Sequence, residues 1–277
     1  MNLKSMDLET LLHNPNALPS APKVVEDLIG SFDNPDASVD EVARKLALDP
    51  VLSAKLLRLA NSAYYHVSRS IGSVDDAVRM LGFVTVRTLV ISSSLVDGFR
   101  TVPGMDLKRF WRYSLHAAVA AKWIAKKTGD NTDLSFTIAM MHGLGELVIH
   151  AGMPAQAQEL DQTVGPYAME RREAELAAFG FDFSEVGAEL ARRWKFPEIF
   201  ATTLAELPHP GADERMAAVA HLAVWAARAD EARLAPEERR AGFPGAVAAS
   251  LGLAPGTILD DLPPLAELAA GLEELIH

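Results

Sequence analysis

The sequence contains no cysteine among its 277 residues. That single absence excludes a disulfide framework, thiolate metal sites and cysteine nucleophiles. Positive charge is also scarce: 26 Lys and Arg stand against 37 Asp and Glu, a formal net charge of −11. Broad nucleic-acid binding needs the opposite sign and is not expected, although a local basic patch remains compatible with the balance. No uninterrupted apolar run approaches the roughly 18 residues that span a bilayer. No basic region followed by an apolar stretch and a small-residue cleavage site opens the chain. The expectation is a cytoplasmic, soluble protein with no membrane partner. The Gly-x-Ser-x-Gly elbow, the Walker loop, the dinucleotide-binding glycine pattern and the His-Glu-x-x-His zinc motif are all missing, so no cofactor is expected from motifs. What is present is 49% apolar residues, too many for a disordered chain. The length suffices for one large domain or two modest ones.

The composition favours helix. Ala occurs 44 times, and Ala loses no side-chain entropy on entering a helix. Boundary signals agree: Ser38 with Glu41 and Ser73 with Asp76 read as capping boxes, and Asp49-Pro50 as an N-cap followed by Pro at the first helical position. Gly82, Gly129 and Gly180 each follow an apolar run, where a left-handed residue is expected. Helices are predicted over 22–32, 39–48, 50–64, 74–81, 84–98, 107–128, 134–150, 166–178, 185–195, 197–206, 214–232 and 263–276. The segment from Val84 to Ile91 is rich in β-branched residues and favours a strand by propensity. No comparable partner strand exists, so it is read as helix. The run from Val51 to Ala60 is apolar on nearly all sides and reads as a buried central helix. Residues 234–264 read as a partly helical connector.

Charge is unevenly spread. Residues 100–127 hold seven Lys or Arg and one acid, Asp106, whereas residues 205–277 hold twelve acids and five bases. Two solvated helix faces explain this, as does docking of the acidic part on the basic helix or an anionic ligand there. Among the histidines, His142, Glu146 and His150 are spaced i, i+4, i+8 and share one helix face in principle. They are candidate ligands of a divalent ion, with His116 upstream; a hydrogen-bonded interior His142 is the plainer reading. Trp111, Trp123, Trp194 and Trp225 fall at apolar helical positions and read as core or interface anchors. Asn61 and Ser62 close the apolar run and need partners, most simply as a C-terminal cap.

Several blocks together resemble the HDOD family. They are Leu18 to Pro22, the run from Leu48 through Asp49 and Pro50 to Ala63, and Ile71 to Gly82. Phe110 to Ser114, the segment around His142 and Val186 to Pro197, with Trp194, complete the set. The resemblance covers about residues 18–228. It implies an all-α, multi-helical fold with an N-terminal lobe at 18–105 and an HD-like lobe at 106–230, flanked by helical extensions at 1–17 and 231–277. The family is related to HD-type metal-dependent phosphohydrolases, whose ligands are an initial His, a His-Asp pair and a later Asp. By the motif, Tyr113 stands at the first His, His142 is kept, Gly143 replaces the Asp, the later Asp falls near Val224, and Glu146 stands at a commonly basic position.

One ligand position of four is retained, and a lone neutral imidazole does not hold a divalent ion. The resemblance therefore implies a non-catalytic bacterial signal-transduction module without metal. Its expected partners are a kinase, a response regulator or a cyclic-dinucleotide enzyme. Alternatives are a residual phosphohydrolase and a nucleotide sensor using the ancestral cleft. Candidate ligand- or partner-binding residues are Arg109, Arg112, His116, His142 and Glu146. The stripe Leu265, Leu268, Leu272, Leu275 and Ile276 must bury against something, by default the protein's own body.

Overall fold

The computed structural model describes residues 8–14, 17, 23–29, 43–44, 46–67 and 69–276. The Leu18–Pro22 block, the Ser38–Glu41 capping box and half of the predicted 39–48 helix lie outside them. The described residues form helices and turns with no strand. In order, these are α1 (Leu8–His13), α2 (Lys23–Ile29), α3 (Pro50–Ala60), α4 (Val74–Leu81), α5 (Phe83–Gly98) and α6 (Leu107–Thr128). There follow α7 (Thr132–Met141), α8 (Leu144–Gly152), α9 (Pro154–Asp161), α10 (Arg171–Phe179), α11 (Phe183–Arg193), α12 (Glu198–Glu206) and α13 (Arg215–Glu231). The remainder is α14 (Pro236–Ala241), α15 (Gly245–Ser250), α16 (Pro255–Leu259), α17 (Leu265–Ala269) and a 3₁₀ turn, Glu273–Ile276. The all-α expectation holds.

The boundary chemistry is visible at each start. The Asp49 carboxylate accepts from the Val51 and Leu52 N–H groups at 2.9 and 3.0 Å, with Pro50 next in line. Ser73 accepts from the Asp76 N–H at 3.1 Å. Gly129 and Gly180 adopt the left-handed conformation that ends α6 and α10. Gly82, at φ +83°, turns the chain by 119° between α4 and α5, a backbone angle that side chains with a Cβ disfavour. Asn61 caps α3 and does more. Its amide donates to the Leu57 and Ile71 carbonyls, each at 2.8 Å, and its oxygen accepts from the Ile71 N–H at 2.7 Å. It thereby pins the loop before α4. Ser62 Oγ finds no hydrogen-bond partner among the described residues.

α6 is the hub, packed by α7, α13 and α17, while α5 is packed by α2, α3, α4 and α7. The β-branched segment is indeed helical, and its surroundings explain its composition: Val86 and every residue from Thr88 to Leu95 are buried. The central helix of the N-terminal part is therefore α5. The α3 run is amphipathic instead. Leu52, Leu56 and Leu59 are buried, Val51 is 62% exposed, and Lys55 reaches Asp97 of α5 at 2.9 Å.

Two further expectations are corrected. The predicted 134–150 helix is two helices, α7 and α8, broken at His142 and Gly143. The stretch Thr132–Gly152 has the length and hydropathy of a membrane span, and 89% of its most apolar 18-residue window is buried inside the molecule. The predicted 263–276 helix ends at Ala269, because Gly271 takes φ +85° and a Cβ there would lie 2.9 Å from the Tyr64 nitrogen. The stripe still buries on the protein's own body. Leu265, Leu272 and Leu275 are at most 4% exposed, with α17 on α6 and the 3₁₀ turn on α3, α5 and α6.

Candidate functional site

The break between α7 and α8 places His142 at the C-cap of α7, fully inside the molecule. Its Nδ1 lies 2.6 Å from the Ala139 carbonyl and must donate there, which leaves Nε2 as an acceptor. Tyr113 of α6 donates its hydroxyl to that Nε2 at 2.9 Å. The same hydroxyl oxygen accepts from Arg228 Nε of α13 at 3.2 Å. Each proton then has one place: Arg228 Nε–H to Tyr113, Tyr113 O–H to His142, His142 Nδ1–H to Ala139. Burial pushes the imidazole down to about 3, against the pull of the Ala139 carbonyl and with help from Arg228. Burial likewise pushes the Tyr113 phenol up, against the attraction of Arg228. The pair is therefore neutral at physiological pH.

The rest of the interior is filled by side chains. At Gly143, where the hydrolase pattern has its acid, a Cβ would press on the Phe110 ring at 3.0 Å, so a side chain there requires that ring to shift. Phe183, at the start of α11, lies 5.2 Å beneath the Arg228 guanidinium. The cavity among Tyr113, His142, Tyr167, Phe183 and Arg228 has a volume of ≈ 10 Å³, about one water. Val224, the expected position of the later Asp, does not border it. The residue of α13 that does is Arg228, one turn further on.

The donor set does not fit a divalent ion. The Nε2 lone pair of His142 is engaged by Tyr113, and a guanidinium, which is always charged, stands beside it. Among the described residues, no group of three or more His, Asp or Glu side chains is placed to hold a metal.

The helix break separates His150 from His142, whereas Glu146 still borders the small His142 cavity; the polar atoms of Glu146 and His150 are engaged elsewhere. They belong to a buried charge cluster around Arg171, whose side chain is fully inaccessible. Its Nε donates to Glu175 at 2.9 Å and to Glu146 at 3.1 Å, Nη2 to Glu146 at 3.2 Å, and Nη1 to Asp161 at 2.8 Å and the Val164 carbonyl at 2.7 Å. His150 bonds Asp161 at 2.9 Å. Glu175 also accepts from the Phe183 N–H at 2.7 Å, so the cluster sets where α11 begins.

Burial, with Glu146 adding to it, pushes Glu175 from its ordinary 4.5 up to about 10. The folded protein thus holds a proton that the unfolded chain releases above pH 4.5. The contribution of Glu175 is fully present below that value and is lost as pH rises toward 10. Glu175→Gln is accordingly expected to gain stability relative to wild type as pH increases, by at most about 1.4 kcal/mol per unit. Urea unfolding across pH 5–9 checks this, and a pH-independent difference would contradict it.

The other sequence candidates lie on the outer part of α6. Arg109 and Arg112 reach Glu231 of α13 at 2.6 and 3.2 Å, and His116 faces Asp230 at 3.5 Å. Burial opposes ionisation of Glu231, but hydrogen bonds from the two arginines hold its carboxyl below the usual range. The basic face of α6 is therefore met by acids of the same chain. Arg109 also stacks over Tyr167 at 4.6 Å, and Tyr167 packs edge-on against Tyr113 at 5.0 Å. The outer cluster and the His142 interior are thus continuous. Trp111 and Trp194 are buried, and Trp123 and Trp225 pack partly buried on the core.

Sequence reasoning missed Arg228, Phe183, Tyr167 and Arg171. Arg228 did carry a signal: a cation set in an Ala-rich run, Ala217 to Ala229, apolar enough to be buried.

An all-helical fold around the buried Arg228–Tyr113–His142 chain defines the class. The chain belongs to the HDOD family, whose domain model matches residues 18–210. A protein from Shewanella amazonensis SB2B with a provisional phosphohydrolase name is 34% identical, with 96% of each chain covered and a TM-score of 0.76. An HDOD domain protein with unknown function from Geobacter sulfurreducens is 28% identical, with 93% of each covered and a TM-score of 0.78. An uncharacterized protein of Treponema pallidum (strain Nichols) is 25% identical over 204 residues, which is 69% of this chain and 38% of that protein. The chain thus matches well under half the length of that relative.

Proposed function

We propose that this chain is a non-catalytic regulatory module of bacterial signal transduction that acts by binding protein partners. The carrying observation is the Arg228–Tyr113–His142 relay, which consumes the one imidazole of the hydrolase pattern and closes its cleft. HDOD membership supports the signalling role, and a kinase, a response regulator or a cyclic-dinucleotide enzyme is the partner class. A second reading, metal-dependent phosphohydrolysis, is favoured by the name of the Shewanella relative. The filled interior argues against it, as it does against a nucleotide held in that cleft.

The two readings part in one assay. Purified protein with Mn²⁺ and bis(p-nitrophenyl) phosphate is expected to turn over no faster than its His142→Ala variant. Turnover that disappears in that variant would establish the hydrolase. Affinity purification from the native cell is expected to bring down a signalling protein.

A further inference from the structure

We infer that the chain binds a small organic acid, a carboxylate or phosphate ester with a flat apolar body, in the cavity bounded by α10, the turn at 207–209, α13 and the segment 234–244. The acid group sits on Arg228. This inference goes beyond the regulatory reading and stands on the cavity whether or not a protein partner exists.

The cavity has a volume of ≈ 490 Å³, within the range of small-molecule sites. Phe183 and Arg228 border both it and the small His142 cavity, so these two side chains are the partition between them. Arg228 is 8% exposed. Its Nε is committed to Tyr113, while its Nη1 and Nη2 make no hydrogen bond or ion pair among the described residues. Five donors on a buried, permanently charged group call for more than one acceptor. The other arginine lining the cavity, Arg172, is already held by Asp182 at 2.8 Å and His209 at 3.0 Å. Arg228 has no carboxylate in ion-pair contact, although Glu146 and Glu175 lie near enough to act on it, and its planar fork matches a carboxylate or phosphate.

Beyond Arg228 the lining is mixed, with Glu170, Arg172, Glu173 and His209 beside apolar walls. Leu207, Val224 and Trp225 line the cavity, and Trp225 is braced edge-on by Phe243 at 5.3 Å. His221 donates Nδ1 to the Leu207 carbonyl at 2.8 Å, and burial holds it in the neutral form. Its Nε2 is left as an acceptor for a polar group on the ligand body. A ligand acid on Nη would bear on the same guanidinium that holds Tyr113, which links occupancy to the His142 relay.

Calorimetry with 2-naphthoate, 2-naphthyl phosphate and neutral 2-naphthol tests the inference. At least one of the two anions is expected to bind saturably, and the stronger one identifies the acid. 2-Naphthol should bind at least tenfold more weakly. Arg228→Leu should weaken the anion about 10- to 100-fold, the weight of a charge-assisted hydrogen bond. Because Arg228 also holds Tyr113, Leu234→Trp provides a second variant: it fills the cavity from its half-buried rim and should abolish binding while melting near wild type. The inference fails if neither anion binds, if naphthol binds equally, or if Leu234→Trp binds as wild type. A metal-dependent turnover that requires His142 would refute the regulatory reading and leave these results untouched.

Discussion

Arg171→Met is expected to lower stability by about 3–5 kcal/mol, the cost of removing one partner from a buried charge network. The side chain is fully buried and uses all three nitrogens, touching Glu146, Glu175, Asp161 and a backbone carbonyl. Methionine fills similar volume but returns no charge and no donor. Glu146 and Glu175 would then face each other in a medium that cannot solvate them. The damage should travel, because Glu175 also holds the Phe183 N–H that opens α11. Denaturant unfolding at pH 7 measures the loss, and a value under about 1 kcal/mol would mean that the cluster is hydrated. Replacing all the charged members together by apolar residues is a different experiment and need not destabilise.

The second large effect is expected from Gly145→Ala. A Cβ on Gly145 would lie 1.9 Å from the Phe183 carbonyl oxygen and 3.0 Å from the Gly187 nitrogen. Both are backbone atoms of α11, so relief requires α8 and α11 to separate. Overpacking of this kind costs about 3 kcal/mol or more when nothing can rotate away. The reciprocal change supplies the control. A Cβ on Gly187 has Gly145 N at 3.8 Å as its only neighbour within 4 Å, which is ordinary contact. Gly187→Ala should therefore be tolerated, even slightly favoured by helix propensity. Comparing the two unfolding midpoints decides the matter, and equal costs would contradict the geometry. Because Phe183 lies under Arg228, Gly145→Ala should also disturb the site.

The helices were legible where their ends carry chemistry. Asp49-Pro50, Ser73, Gly129 and Gly180 announce boundaries through capping oxygens and left-handed glycines. The α7–α8 break is marked only by Gly143 and Gly145, because Met140, Met141, Leu144 and Leu147 continue the apolar pattern across it, with no proline to mark the stop. The order of burial was misread at α3 and α5 for a related reason. A stretch of Leu and Ala looks equally apolar whether one face or all faces are covered, whereas the serines in α5 disguise a helix that is covered all round. At the site, His142 and the loss of its companion acid could be read directly from the motif. Arg171 could not, since it begins an Arg-Arg-Glu-Ala-Glu run that resembles any solvated helix. Ion pairing between distant parts of the chain, such as Arg109 with Glu231, has no local signature beyond the asymmetry of charge.

The return of residues 265–276 onto α3 and α5 bears on how the molecule is made. Gly271 meets the backbone of Tyr64, roughly two hundred positions earlier in the sequence. During synthesis, the face of α3 and α5 that the 3₁₀ turn covers stays bare until the far segment leaves the ribosome. Closing so long a loop costs entropy before any contact repays it. The early-made half is therefore the late-finished one, and the interval between is when that bare face is open to chaperones or to aggregation.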